Sequence, residues 1–151
     1  MAFGAPSVKG RALRYLSQRE HTRAELERKL ERTVGDLPDA GAQIAAALDD
    51  LAARGLVSEA RAAASVLHSQ GARYGVRRLK QTLQSKGVAP ELLAQTLQQA
   101  RATEFERAQA VWQRRFGAPP ADAAERARQM RFLAARGFEG DVIRRLVRGE
   151  D

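Results

Sequence analysis

The chain has no cysteine, only two histidines (His21 and His68), 5% aromatic residues, and no apolar run longer than the five residues 44–48. Without thiols there are no disulfides and no thiolate metal sites, and a reducing cytoplasm is the compartment this composition suggests. Two isolated histidines with no carboxylate pair at ligand spacing do not make a metal centre. The longest apolar run is far too short to cross a membrane. Residues 1–7 show no basic segment followed by a long apolar stretch, so no secretory leader is expected. No phosphate-cradling Gly-x4-Gly-Lys and no nucleophile elbow occurs. Glu25 and Glu27 cannot share a helix face and so do not form an acid–base pair. The expectation is a protein with no catalytic set, no metal and no cofactor, and not an enzyme.

What is present is positive charge and helical periodicity. Lysine and arginine number 26 against 18 acids, a net charge of +8, with a pI near 10.9. The excess is concentrated in the middle. Residues 1–55 hold nine bases and eight acids, residues 56–102 seven and two, and residues 103–151 ten and eight. No acid occurs across residues 60–90, which carry Arg61, Arg73, Arg77, Arg78, Lys80 and Lys86. Such a balance favours a polyanionic partner, either nucleic acid or an acidic protein surface.

One helix ending recurs: Leu51-Ala-Ala-Arg54-Gly55-Leu56, Leu83-Gln-Ser-Lys86-Gly87-Val88 and Leu133-Ala-Ala-Arg136-Gly137-Phe138. Glycine enters the left-handed conformation at no steric cost, and the apolar residue after it folds back on the leucine of the last turn. The base before the glycine complements the negative end of the helix dipole.

Between these stops almost everything reads as helix. The first spans 8–18, with Val8, Ala12, Leu13 and Leu16 on one stripe. The capping box Thr22-Arg-Ala-Glu25 opens a second, with Leu26 and Leu30. After the break Gly35-Asp-Leu-Pro38, a third carries Ile44, Leu48 and Leu51. Ser58 caps a fourth (Ala62, Ala63, Val66, Leu67) that stops at Gly71. A short basic helix carries Val76, Leu79 and Leu83. Pro90 opens another, with Leu93 and Leu97. One from Thr103 carries Phe105, Ala108, Val111, Trp112 and Phe116, of which Trp112 and Phe116 read as a core pair. Asp122-Ala-Ala-Glu125 resembles a second capping box and leads to Met130 and Leu133. The last helix holds Val142, Ile143, Leu146 and Val147. Leu30, Leu83 and Leu133 lie 53 and 50 residues apart, close to a third of the chain. The expected fold is all-α, an elongated, curved array of three tandem three-helix repeats at 1–55, 56–102 and 103–151.

The basic middle helix is the leading candidate site. At 100° per residue, Arg73, Arg77, Lys80 and Gln84 share a face if the helix extends back to Arg73, beside the stripe Val76, Leu79 and Leu83. Arg78 and Lys86 widen the patch, and the Tyr74 ring can stack on an unpaired base while the arginines hold phosphates. Arg114, Arg115, Arg128 and Arg131 are further candidates, and Arg126 shares their segment. Arg144, Arg145 and Arg148 lie where bases also suit the helix dipole. Arg28, Lys29 and Arg32, interleaved with Glu25, Glu27 and Glu31, read as surface ion pairs.

Several stretches together resemble the RecX family of regulators of the RecA recombinase. They are Ala12-Leu13-Arg14-Tyr15-Leu16-Ser17-Gln18-Arg19-Glu20 with Arg23-Ala-Glu25-Leu26; Leu51-Ala-Ala-Arg-Gly55-Leu56-Val57-Ser58-Glu59; Tyr74-Gly75-Val76-Arg77-Arg78-Leu79-Lys80-Gln81-Thr82-Leu83 with Lys86-Gly87-Val88; and Phe132-Leu133-Ala134-Ala135-Arg136-Gly137-Phe138 with Asp141-Val142-Ile143. Their order and spacing carry the match, from about Lys9 to Arg148. Where that family usually shows an aromatic, an Asp-Asp-like pair and a Phe-Ala pair, this chain has Leu56, Ser58-Glu59 and Ala62-Ala63. The usual Gly-Pro before the middle helix reads Tyr74-Gly75.

The resemblance implies tandem three-helix units that bind the RecA–DNA filament in its helical groove. It also implies suppression of strand exchange, ATP hydrolysis and co-protease activity, and so a role in recombination, DNA repair and the SOS response. The implied partners are the RecA filament and, in a weak and salt-sensitive way, single- or double-stranded DNA. A monomer in the cytoplasm and away from membranes is expected. The competing reading is a sequence-tolerant DNA-binding protein with helix-turn-helix-like units.

Overall fold

The computed structural model describes residues 6–149. Residues 1–5 of the segment read for a leader, and the outer ends of the first and third repeats, lie outside it. Nine helices and no strand occur among the described residues: α1 Val8–Gln18, α2 Arg23–Val34, α3 Ala40–Ala53, α4 Glu59–Gln70, α5 Val76–Ser85, α6 Pro90–Ala102, α7 Glu104–Arg115, α8 Ala123–Ala135 and α9 Gly140–Arg148. No helix among them is long and apolar enough to cross a membrane. The chain divides into two compact units, one of residues 1–63 with 86–88, the other of 64–85 with 89–151.

The helix ends follow the local chemistry. Gly55, Gly87 and Gly137 all have positive φ, and so do Gly117 and Gly149. At two of the three recurring stops the residue after the glycine donates back to the leucine carbonyl, Leu56 to Leu51 at 2.9 Å and Phe138 to Leu133 at 3.3 Å, the pattern of a Schellman ending. Thr22 forms both arms of its capping box with Glu25. Asp122 forms only one arm of the second: it accepts from the Glu125 N–H at 2.8 Å, while the Glu125 carboxylate turns to Arg128 and Gln129. Ser58 caps α4 through the Arg61 N–H.

In the first unit, α1, α2 and α3 pack around Ala12, Leu26, Leu30, Leu48 and Leu51, all fully buried. A polar cluster sits beside this core. Glu25, expected among the surface ion pairs of α2, is buried. Its Oε1 accepts the Thr22 N–H at 3.0 Å, and its Oε2 accepts from Arg19 at 2.7 Å and from Lys86 at 3.0 Å. Burial pushes the carboxyl up, but Arg19, the Thr22 amide and Lys86 outweigh it and bring its pKa down to about 2. The remaining ion-pair expectations are also redistributed. Glu27 pairs with Arg23, and Lys29 turns inward to His21.

His21 is fully buried. Its Nδ1 faces the Arg19 carbonyl at 3.0 Å, which can only accept, so Nδ1 carries the proton and Nε2 accepts from Lys29 at 2.7 Å. Burial holds both His21 and Lys29 below their ordinary values. Glu59, part of the departure from the family pattern, accepts the otherwise unpaired Arg23 N–H at the start of α2 at 2.8 Å.

In the second unit, α7, α8 and α9 enclose Ala108, Leu133, Phe138, Ile143, Leu146 and Val147. Trp112 packs at the edge of this core and donates to Gln129, itself buried, at 2.9 Å. Phe116 does not join it. As the residue that ends α7, it leaves the core stripe and stacks edge-on against Phe132 at 5.3 Å. Gly75 lies against the backbone of Gly137 and Phe138, so closely that a Cβ there would sit 2.4 Å from the Phe138 Cα and N.

Three variants test this account. Gly75→Ala should destabilise the chain by about 1–3 kcal/mol, because the colliding atoms are backbone and cannot turn aside. Gly41→Ala, whose Cβ meets nothing within 4 Å, should be neutral or stabilising by up to about 1 kcal/mol. Denaturant melts of the two variants make the comparison. Glu25→Gln should cost about 3 kcal/mol near neutral pH. A carboxyl whose folded pKa is depressed stabilises the fold above its unfolded value and stops doing so as pH falls through the folded one. The gap between wild type and Glu25→Gln should therefore close as pH drops from 4.5 toward about 2. A gap unchanged across that range would assign the loss to packing rather than charge.

Candidate functional site

The site is built around the start of α5, in the second unit. Three α5-leading amides that a helix cannot satisfy internally are taken by tertiary partners. Gly75 N–H donates to the Arg136 carbonyl at 2.9 Å, Arg77 N–H to the Gly137 carbonyl at 3.0 Å, and Val76 N–H to the Glu104 carboxylate at 3.1 Å. The same Glu104 oxygen accepts the Glu139 N–H ahead of α9 at 3.2 Å. Arg107 fixes the preceding turn, donating to the Gly71 and Tyr74 carbonyls at 2.7 Å each. Glu104 is 2% exposed. Burial raises its carboxyl pKa, and the two amides pull it back only in part. Burial likewise lowers the Arg107 guanidinium, with Glu104 opposing.

These anchors start the helix at Val76, not at Arg73, and divide the expected patch. Val76, Leu79 and Leu83 are buried as the periodicity requires. Arg77, Lys80 and Gln84 do share a face. They line a cleft of about 690 Å³ with Gln81, Arg101, Glu139, Gly140, Asp141 and Arg144. Arg101 pairs with Glu139 at 3.6 Å. Arg73 belongs instead to the turn before α5 and lines a second cleft, of about 390 Å³, with Val111, Arg114, Arg115, Phe132 and Arg136.

A stack of guanidiniums and rings runs beside the second cleft. Tyr74 is covered by Arg78 at 4.5 Å, Arg73 at 5.3 Å and Arg136 at 5.9 Å. Arg136 also covers Phe132 at 5.1 Å, as does Arg115 at 5.4 Å. Arg115 reaches on to Phe116 at 5.9 Å, which Arg128 covers at 5.5 Å. Tyr74 is thus a platform for arginines of its own chain, and its ring is half-buried.

The other candidates are scattered. Lys86 is held by Glu25 in the first unit, with 18% of its side chain exposed. Arg128 pairs with Glu125, and Arg131 is exposed on α8. Arg145 covers Phe105 at 4.4 Å. Arg136 and Phe132 were visible in the motif before Gly137, but a base there reads as a dipole complement and an aromatic as core. Among the described residues no group of histidines and carboxylates could hold a metal ion.

Family models of the RecX third, second and first three-helix domains match residues 102–147, 58–97 and 9–33. A regulatory protein RecX from Leptothrix cholodnii is 54% identical over 100% of this chain and 95% of its own length. Another from Ralstonia nicotianae is 46% identical over 96% and 89%. The crystal structure of RecX from Lactobacillus salivarius aligns with a TM-score of 0.75 at 20% identity, covering 94% of this chain and 93% of that one. The all-helical fold is therefore shared with solved relatives, and the full-length identities show that this chain belongs to the RecX family of regulatory proteins.

Proposed function

We propose that this protein regulates the RecA recombinase by binding its DNA-bearing filament in the helical groove, as a cytoplasmic monomer, and so suppresses strand exchange, ATP hydrolysis and co-protease activity. Membership of the family carries this reading. The α5 face supports it: Arg77 and Lys80 project from a helix locked by three buried apolar residues, in a stretch without acids. Rigidly presented cations suit either the phosphates of the bound strand or an acidic face of a filament subunit. Arg78, Arg128 and Arg131 extend the contact. Direct binding to free DNA, single- or double-stranded, is weak, tolerant of sequence and steeply salt-dependent.

ATP hydrolysis by RecA on single-stranded DNA, titrated with this protein beside a control for binding to the free DNA, tests the reading. Inhibition should set in well below the concentration that coats the free DNA. Arg77→Ala with Lys80→Ala should raise the concentration required by about tenfold, the effect of losing two charge-assisted contacts, with the melting temperature unchanged. Inhibition that appears only once free DNA is saturated would replace filament recognition with plain DNA binding.

A further inference from the structure

We propose that the cleft lined by Arg73, Arg114, Arg115 and Arg136, with Val111 and Phe132 as its apolar wall, is a binding site for a nucleoside polyphosphate. Three observations lead there. The cleft holds about 390 Å³, within the range of sites that take a small organic ligand. No carboxylate lines it, and none of its four arginines pairs with a carboxylate among the described residues. The guanidiniums are also pre-positioned: Arg73 lies over Tyr74, and Arg115 and Arg136 over Phe132. A guanidinium held over a ring rather than by a carboxylate keeps N–H donors for an incoming acceptor.

The density of charge selects the ligand. A nucleic-acid strand brings one phosphate charge per nucleotide, so a cleft of this size would leave most of its arginines unanswered. A peptide carboxylate likewise brings one charge per side chain. A nucleoside di- or triphosphate places several charges on adjacent phosphorus atoms, each oxygen open to bidentate arginine contact. Its base and sugar have the Val111–Phe132 wall and the guanidinium planes to lie on. Arg73, Arg114 and Arg115, which the sequence pattern places on a partner surface, thereby converge on a small anion instead.

Isothermal titration of the whole chain with ATP, AMP, inorganic triphosphate and a short oligothymidylate, in EDTA so that no metal neutralises the phosphates, tests this. ATP should bind one to one and about tenfold or more tighter than AMP. Arg114 is exposed and makes one long bond to the Ala72 carbonyl, at 3.4 Å, so Arg114→Ala should fold normally while weakening ATP by about tenfold. Arg126→Ala removes an equal charge from α8 outside the cleft and should leave ATP binding unchanged. The proposal is overturned if ATP shows no saturable binding, if inorganic triphosphate matches ATP, if the oligonucleotide binds more tightly than ATP, or if the two arginine variants behave alike. The titration contains no recombinase, so its failure would leave the filament reading standing.

Discussion

A buried carboxylate and a missing side chain hold the second unit in register. Glu104 accepts the amides of both Val76 and Glu139, and so ties the start of α5 to the start of α9. Gly75 lets the same stretch of backbone lie directly on Gly137 and Phe138. They act with the bonds from the Gly75 and Arg77 amides to the Arg136 and Gly137 carbonyls and with the buried Val76, Leu79 and Leu83. Together they fix where it begins, and its first residue decides which arginines share a face. With the start at Val76, Arg77 and Lys80 look one way while Arg73 stays in the turn and looks another. The cost of the arrangement is a carboxylate kept from water, visible in its raised pKa. Two amide donors compensate it, and Arg107, with carbonyl partners of its own, adds a favourable field.

The second unit handles its positive charge differently from the first. In the first, arginines and lysines find acids: Arg19 and Lys86 with Glu25, Arg23 with Asp49, Arg61 with Glu20. Around Tyr74 and Phe132, Arg73, Arg78, Arg115 and Arg136 find rings instead. The difference matters for recognition. A salt bridge consumes the donors of a guanidinium, whereas a ring holds its plane and leaves the donors unused. Arginines held in this way are ordered before a ligand arrives, so less side-chain entropy is lost on binding.

Much of the fold was legible because it depends on neighbours in sequence. Thr22 and Glu25 are three residues apart, and the stops at Gly55, Gly87 and Gly137 follow from the turn immediately before them. The apolar stripes of α5 and α9 needed only a 3.6-residue period. What escaped was buried polarity. Glu104, Gln129, His21 and Glu25 look like surface residues by type, and each is buried. Glu104 answers amides 28 and 35 positions away, and no local pattern announces such a pair. The placement of Arg73 escaped for the same reason: α5 begins where Glu104 and the Arg136 and Gly137 carbonyls, all distant in sequence, take the amides of Gly75, Val76 and Arg77.

The two clefts along α5 are therefore chemically unlike, although both are basic. The one bearing Arg77 and Lys80 includes Glu139 and Asp141, and Glu139 already engages Arg101. Mixed signs disfavour a compact polyanion, which would meet the carboxylates as well as the bases. They suit an extended partner whose charges are spaced and which touches only the outer cations. The cleft bearing Arg73 contains no acid and imposes no such selection against concentrated charge. Both clefts draw on the segment that Glu104 and Gly75 hold in place. That shared turn is held at the Gly71 and Tyr74 carbonyls by Arg107, at the Gly75 and Arg77 amides by the Arg136 and Gly137 carbonyls, and at the Val76 amide by Glu104.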